Sequence, residues 1–303
     1  MSRAVPAFTD GMNRLNKLGV DQGIRRSSLE LKHKDLFYHM AENAPPGMSG
    51  LDTIIPNVIL AIVAGSDTST SVLTNAVQLL LSHAEAYQRL QREIDEAFNE
   101  NGIPDIDVDG ELNRFSDTLS GLKCLNGVIN EALRLFPAVP TGLQRAPAKN
   151  SGGRILKGDR NMDIYLAEGN AITVSPYSVH RDEKNFSPRP NNFIPERWFS
   201  SDSSYKTSRD AFIPFSYGPQ NCVGRPLALM ELRYTLATMF RNFNLEFDYS
   251  KYSREKWSEE LVDRYTLSNG KLHVKATLRT REMRGLESTP SISGPNADLT
   301  QSQ

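Results

Sequence analysis

At 303 residues, with 39% apolar and 23% charged side chains, the chain can bury a sizeable core and reads as globular. Its formal net charge of -1 gives no electrostatic reason to expect nucleic acid or an anionic surface as a partner. Cys124 and Cys222 are far apart in sequence and imply no disulfide framework, and His33, His39, His83, His180 and His273 show no metal-ligand spacing. The opening residues are polar, carry Arg3, Arg14 and Lys17, and contain no apolar core of signal-peptide length. Residues 1–28 are therefore read as a segment without a defined element.

From Leu51 to about Ser82 the pattern predicts one long helix, interrupted in its middle by Gly65, Ser66, Thr68 and Ser69. At a rise of 1.5 Å per residue it would span roughly 45–50 Å. Its apolar run Val58 to Ala64 is far short of the roughly 20 residues that a membrane span requires. A second helix places Tyr87, Leu90, Ile94, Ala97 and Phe98 on one face and ends at Asn101-Gly102. A third, Leu122 to Phe136, is apolar nearly all round and closes at Pro137.

Turns and short strands are expected from Ala138 to Val179, with Ile172-Thr173-Val174 the clearest strand. Phe193 to Phe215 is aperiodic, and a helix follows from Leu227 to Phe240. Tyr265 to Leu267 and Leu272 to Ala276, flanking Asn269-Gly270, read as a hairpin. Residues 281–303 are rich in Ser, Pro, Gly and Asn and are expected to be disordered. Residues 29–280 show no repeat and no internal boundary, so the expected architecture is mainly α with small β-sheets.

Chemistry concentrates in Phe215-Ser216-Tyr217-Gly218-Pro219-Gln220-Asn221-Cys222-Val223-Gly224. A cysteine directly before a helix meets free N–H groups and the positive end of the dipole, which favours thiolate, the metal-binding form. Gly218 and Gly224 permit tight turning and close approach to a flat partner. Taken alone, a loop cysteine is more often a small buried hydrophobe.

Two other clusters stand out. In Ala64-Gly65-Ser66-Asp67-Thr68-Ser69 the small residues allow something large against the helix, and Thr68 can bond back to a carbonyl four residues earlier. The plainer reading is a close contact between helices. Glu131 and Arg134 can pair across one helix turn, and their apolar neighbours imply burial, which demands further partners. Cys124, in the same helix, reads as inert core.

With Ala64–Ser69, Glu131-Ala132-Leu133-Arg134, Pro195-Glu196-Arg197-Trp198 and the Cys222 run in this order, the chain resembles the cytochrome P450 haem-thiolate monooxygenases, from about Leu29 to about Leu278. The resemblance implies the C-terminal portion of that fold, with the family's N-terminal part and its membrane anchor not represented. It implies haem bound through Cys222, with Phe215, Gly218, Gln220, Gly224, Arg145, Ala64 and Gly65 around it. Asp67 and Thr68 would handle protons on the distal side, buried together, and Arg197 would complete a structural triad with Glu131 and Arg134. Gln220 stands where the family usually has arginine, so a propionate there would gain a hydrogen bond without neutralisation.

The implied reaction inserts one oxygen atom from O2 into a small apolar substrate, with electrons from NADPH through a separate reductase. A full-length eukaryotic form would sit on the cytosolic face of the endoplasmic reticulum. Two other readings stay open: a truncated, non-catalytic haem-binding fragment, and a haem-thiolate enzyme that uses peroxide or rearranges its substrate. The Asp67-Thr68 pair favours the monooxygenase over the last of these, and chain length favours the fragment.

Overall fold

The computed structural model describes residues 6–28, 34–43, 45–47, 50–101, 112–158, 163–280 and 282–285. The disordered tail expected over 281–303 therefore lies almost wholly outside the described residues. Two units divide the chain after Ser71.

The first unit contains α1 (Pro6–Ser27), α2 (Leu36–Glu42) and the N-terminal turns of α3 (Gly50–Leu81). The polar composition of α1 gave no pattern from which a helix was expected. Its order comes from packing: Gly19 and Gly23 lie one turn apart and lean on Ile59 and Ile55 of α3. A Cβ at Gly19 would fall 2.5 Å from Ile59 Cγ1, so close approach requires glycine there. Ile54 and Val58 are buried in this unit, and Arg26 Nε pairs with Asp35 Oδ2 at 2.7 Å.

The second unit begins at Val72 and contains the main core. The last turns of α3 pack with α4 (Ala84–Glu100), α5 (Leu112–Gly121), α6 (Lys123–Leu135) and α8 (Arg225–Asn242), while α7 (Pro176–Val179) and α9 (Arg254–Glu259) are short. Leu80, Leu90, Ile94, Leu125, Val128, Leu236 and Phe240 are fully enclosed in this core. α6 is buried on nearly every side, as its all-round apolar pattern requires.

Its strands form small antiparallel pairs: β1 (Arg154–Leu156) with β2 (Ile164–Leu166), and β3 (Phe186–Ser187) with β4 (Lys206–Thr207). β5 (Phe243–Phe247) pairs with β8 (Val274–Leu278), and β6 (Val262–Arg264) with β7 (Thr266–Ser268). Among the described residues, no helix is long and apolar enough to cross a membrane.

Two strand expectations are corrected. Ile172-Thr173-Val174 forms only an isolated bridge from Ile172 to Arg145, because the turn at Gly142 (φ +83) packs directly on the Val174 carbonyl, where a Cβ would fall 2.3 Å from it, and α7 begins at Pro176. The Asn269-Gly270 hairpin does not form. β7 turns back at Tyr265 (φ +79) to pair with β6, and β8 pairs with β5. Asn269 Oδ1 instead accepts from Asn75 Nδ2 at 2.9 Å, and Gly270 packs on Glu260 and Trp257. The Asn-Gly pair is a packed corner rather than a turn tip.

Candidate functional site

The cysteine loop is closed by its own backbone. Cys222 N–H donates to the Phe215 carbonyl at 2.9 Å, and Asn221 N–H to the Gly218 carbonyl at 3.1 Å. Ser216 (φ +63) and Gly218 (φ +84) take left-handed backbone, which Gly218 does without strain and Ser216 at a cost. Gly224 is different: its φ is -78, and it serves as the residue from which α8 starts.

Phe215 packs against the core beneath, while Cys222, Val223 (97% exposed), Tyr217 and Leu227 face outward. A soft sulfur donor beside exposed apolar side chains, on a loop leading into a helix, suits haem as a partner. Arg145 Nη2 donates to Ser216 Oγ at 3.3 Å, so a guanidinium stands beside the loop. Gln220 is exposed at the same loop.

A buried clamp joins α6 to the segment from His180 to Trp198. Arg134 donates from Nε and Nη2 to the two oxygens of Glu131, at 2.8 Å each, and Arg197 Nε donates to Glu131 Oε1 at 3.0 Å. The Trp198 indole and the Ile194 amide add bonds of 2.9 and 3.0 Å to the same carboxylate. The remaining guanidinium hydrogens end on carbonyls of His180, Pro190 and Asn192 for Arg134, and of Ser187, Pro188 and Arg189 for Arg197. Every charged side chain in the triad is 0% exposed. This supplies the extra partners that a buried ion pair requires. Arg89 of α4 also pairs with Glu196, fastening the 3-10 turn Pro195–Trp198 from the other side.

Pattern reading missed Glu93 and the bridging role of His180. Glu93, on α4, accepts the amides of Cys124 and Leu125 at 2.8 Å each and so caps α6 from a neighbouring helix. Burial, and then the Glu93 charge, push the Cys124 thiol up to about 12. A thiol in that state is a poor ligand and nucleophile, in keeping with inert core. The only sequence trace of the cap is an acid on the buried side of an amphipathic helix.

The Ala64–Ser69 stretch belongs to the first unit. Thr68 Oγ1 donates to the Ala64 carbonyl at 2.7 Å and Ser66 Oγ to the Ile62 carbonyl at 2.6 Å. Ala64, Gly65 and Asp67 are exposed and Thr68 is half-buried, so the expectation of an acid and an alcohol buried together is corrected. A Cβ on Gly65 would meet nothing within 4 Å, which leaves that helix face open. In the second unit, Leu267 N–H donates to the Ala138 carbonyl at 2.8 Å and Thr141 Oγ1 bonds Asp263, joining the turn after α6 to the β6–β7 hairpin.

The Cytochrome P450 family model matches residues 25–262. A cytochrome P450 monooxygenase, nodW, of Hypoxylon pulicicidum is 38% identical over 73% of this chain and 37% of its own length. Averantin hydroxylase of Dothistroma septosporum is 31% identical over 79% of this chain and 42% of its own. Tryprostatin B 6-hydroxylase of Aspergillus fumigatus is 29% identical over 91% and 46%. The chain thus spans less than half the length of these curated relatives. The crystal structure of the cytochrome P450DA heme domain superposes with a TM-score of 0.70 at 20% identity, over 92% of this chain and 56% of that one, a likeness of fold.

Proposed function

The chain belongs to the cytochrome P450 family, and from that premise we propose that Cys222 is the proximal thiolate of a haem site serving monooxygenation of a small apolar organic substrate. The observation that carries this reading is the contrast between the cysteines: Cys222 is exposed on a self-bonded loop before α8, and Cys124 is buried with its thiol held protonated. Haem held by a thiolate supplies O2 activation with electron density pushed toward O–O cleavage.

The chain's own residues would divide the remaining work. Cys222 Sγ would bind the iron, with Phe215 and Gly218 shaping the loop that carries it. Arg145, bonded to the loop through Ser216, would meet a carboxylate of the haem, and Gln220 would add only a neutral amide bond. Because the Thr68 hydroxyl proton is committed to Ala64 O, Thr68 Oγ1 is free to accept a hydrogen bond and hold a water or substrate proton. Asp67, exposed and adjacent, would relay protons toward Thr68. Glu131, Arg134 and Arg197 would hold the loop and take no chemical step. Electrons would come from NADPH through a separate reductase.

A second reading is a polypeptide that binds haem without sustained turnover. The test is haem titration of the purified full chain, reduction under carbon monoxide, and an NADPH-plus-reductase assay. The thiolate-type red-shifted Soret band should appear, vanish in Cys222→Ser and persist in Cys124→Ser. Loss of the band in Cys124→Ser alone would overturn the assignment. Stoichiometric haem with turnover selects the enzyme, and haem without turnover selects the second reading.

A further inference from the structure

An imidazole bonds the segment entering the cysteine loop to the end of α6. His180 follows α7 and is 0% exposed. Its Nδ1 lies 3.2 Å from the Arg134 carbonyl, in the last turn of α6, and its Nε2 lies 2.9 Å from the Ile213 amide nitrogen. An amide can only donate, so Nε2 is the acceptor and the proton resides on Nδ1, donating to Arg134 O. The ring therefore satisfies one helix-end carbonyl and one part-buried loop amide together, and the bond from the Ile213 amide requires it to be neutral.

Arg134 reciprocates, with Nη1 donating to the His180 carbonyl at 2.7 Å. Phe186 and Phe212 flank the imidazole at centroid distances of 6.1 and 5.4 Å. Ile213 is two residues before Phe215, whose carbonyl accepts the Cys222 amide.

We propose that His180 is the positioning residue of the cysteine loop, a neutral strut between α6 and Ile213 whose protonation releases the loop. The functional half of this inference rests on the reading of Cys222 as a haem ligand. Protonation would turn Nε2 into a donor facing the Ile213 donor, removing the bond and adding a repulsion. The charged groups facing the ring are Arg134 of α6 and the adjacent Arg181, both cationic, while the Glu131 carboxylate is taken by Arg134, Arg197 and Trp198. Burial first, and these cations after it, hold the imidazole down to about 4, against a bond to Arg134 O that acts the other way.

The test is amide hydrogen exchange in the purified full chain, comparing residues 211–216 with α4 as an internal control. Protection of the Ile213 amide should be level above pH 6.5 and fall about tenfold per pH unit between about 6.5 and about 4 relative to α4. His180→Gln, with one donor and one acceptor but no titration, should flatten that profile, and His180→Ala should lower protection of 211–216 at every pH. A flat wild-type profile, or an equal slope in His180→Gln, would overturn the proposal. The wild-type profile decides even if a variant fails to fold. In haem-loaded protein the thiolate Soret band should decay over the same pH range in wild type and not in His180→Gln. The exchange slope without a thiolate band at any pH would support the strut and overturn the haem reading.

Discussion

Among the described residues from Val72 onward, the arginine–carboxylate networks at Glu131 and at Asp95 differ in what they support. At Glu131, 0% exposed, two guanidiniums, an indole and an amide converge, and the spare hydrogens reach carbonyls of Ser187, Pro188 and Asn192. At Asp95, 15% exposed, Arg241 Nη1 bonds at 2.8 Å and Arg279 Nη2 at 2.6 Å. There the spare hydrogens reach carbonyls of Phe240, Met283 and Arg284. The Glu131 network organises a meander with little more than a two-residue strand and one 3-10 turn to hold it. The Asp95 network ties together the ends of α8 and β8, which already have their own backbone ladders. A buried carboxylate matters most where the backbone around it has no other support.

Glu131→Gln should therefore be the most damaging change, leaving two buried guanidiniums without a charge partner at a cost of about 3–5 kcal/mol. A urea titration should show a lower midpoint, with the meander amides losing exchange protection first. A cost below about 1 kcal/mol would mean that Trp198, Ile194 and the carbonyls hold the meander without the charge.

Next in size is the pH dependence contributed by His180, which joins the same network to the cysteine loop. The folded imidazole sits at about 4, below its unfolded value near 6.5. The unfolded chain therefore takes the proton first. The stabilisation is complete above pH 6.5 and is lost as pH falls through 4, by about 3 kcal/mol in all. Urea midpoints of wild type and His180→Gln should converge as pH drops through this window. Parallel curves would place the strain elsewhere.

Asp95→Asn should cost about 2 kcal/mol, since water reaches the site and the helix and strand ladders remain. If it matched Glu131→Gln, the distinction between supporting a meander and tying ladder ends would be lost. Because the clusters share no partner, the double variant should be additive within about 0.5 kcal/mol.

How much of this was legible in sequence follows from range. α4 announces itself by local periodicity and α6 by its apolar run, and the burial of Glu131 and Arg134 follows from the apolar residues around them. Arg197 as a third partner came from the family resemblance, since nothing in a stretch without periodicity marks it. Asp95 meets Arg241 and Arg279 across 146 and 184 residues, a separation that no local pattern encodes. α1 was missed because its order depends on two glycines packing on Ile55 and Ile59 rather than on an apolar stripe. The Asn269-Gly270 signal was real chemistry spent on another task, bonding Asn75 and packing on Trp257.

The smallest effect concerns a carboxylate that makes no ion pair within these clusters. Glu93 accepts the amides of Cys124 and Leu125 at the positive end of α6, so it acts as a cap and as a charge on the helix dipole. Glu93→Gln retains one acceptor oxygen and loses the charge, and should cost about 1 kcal/mol. It should also let the Cys124 thiol, now at about 12, titrate lower, because burial remains but the neighbouring anion is gone. Both effects can be measured on one sample: the urea midpoint, and the pH dependence of Cys124 thiolate absorbance in a Cys222→Ser background. A lower midpoint with an unmoved thiol would mean that burial alone sets the Cys124 state. An unmoved midpoint would mean that α6 is held by its core contacts and not by its cap, and the contrast between supported and unsupported backbone would then extend to this helix.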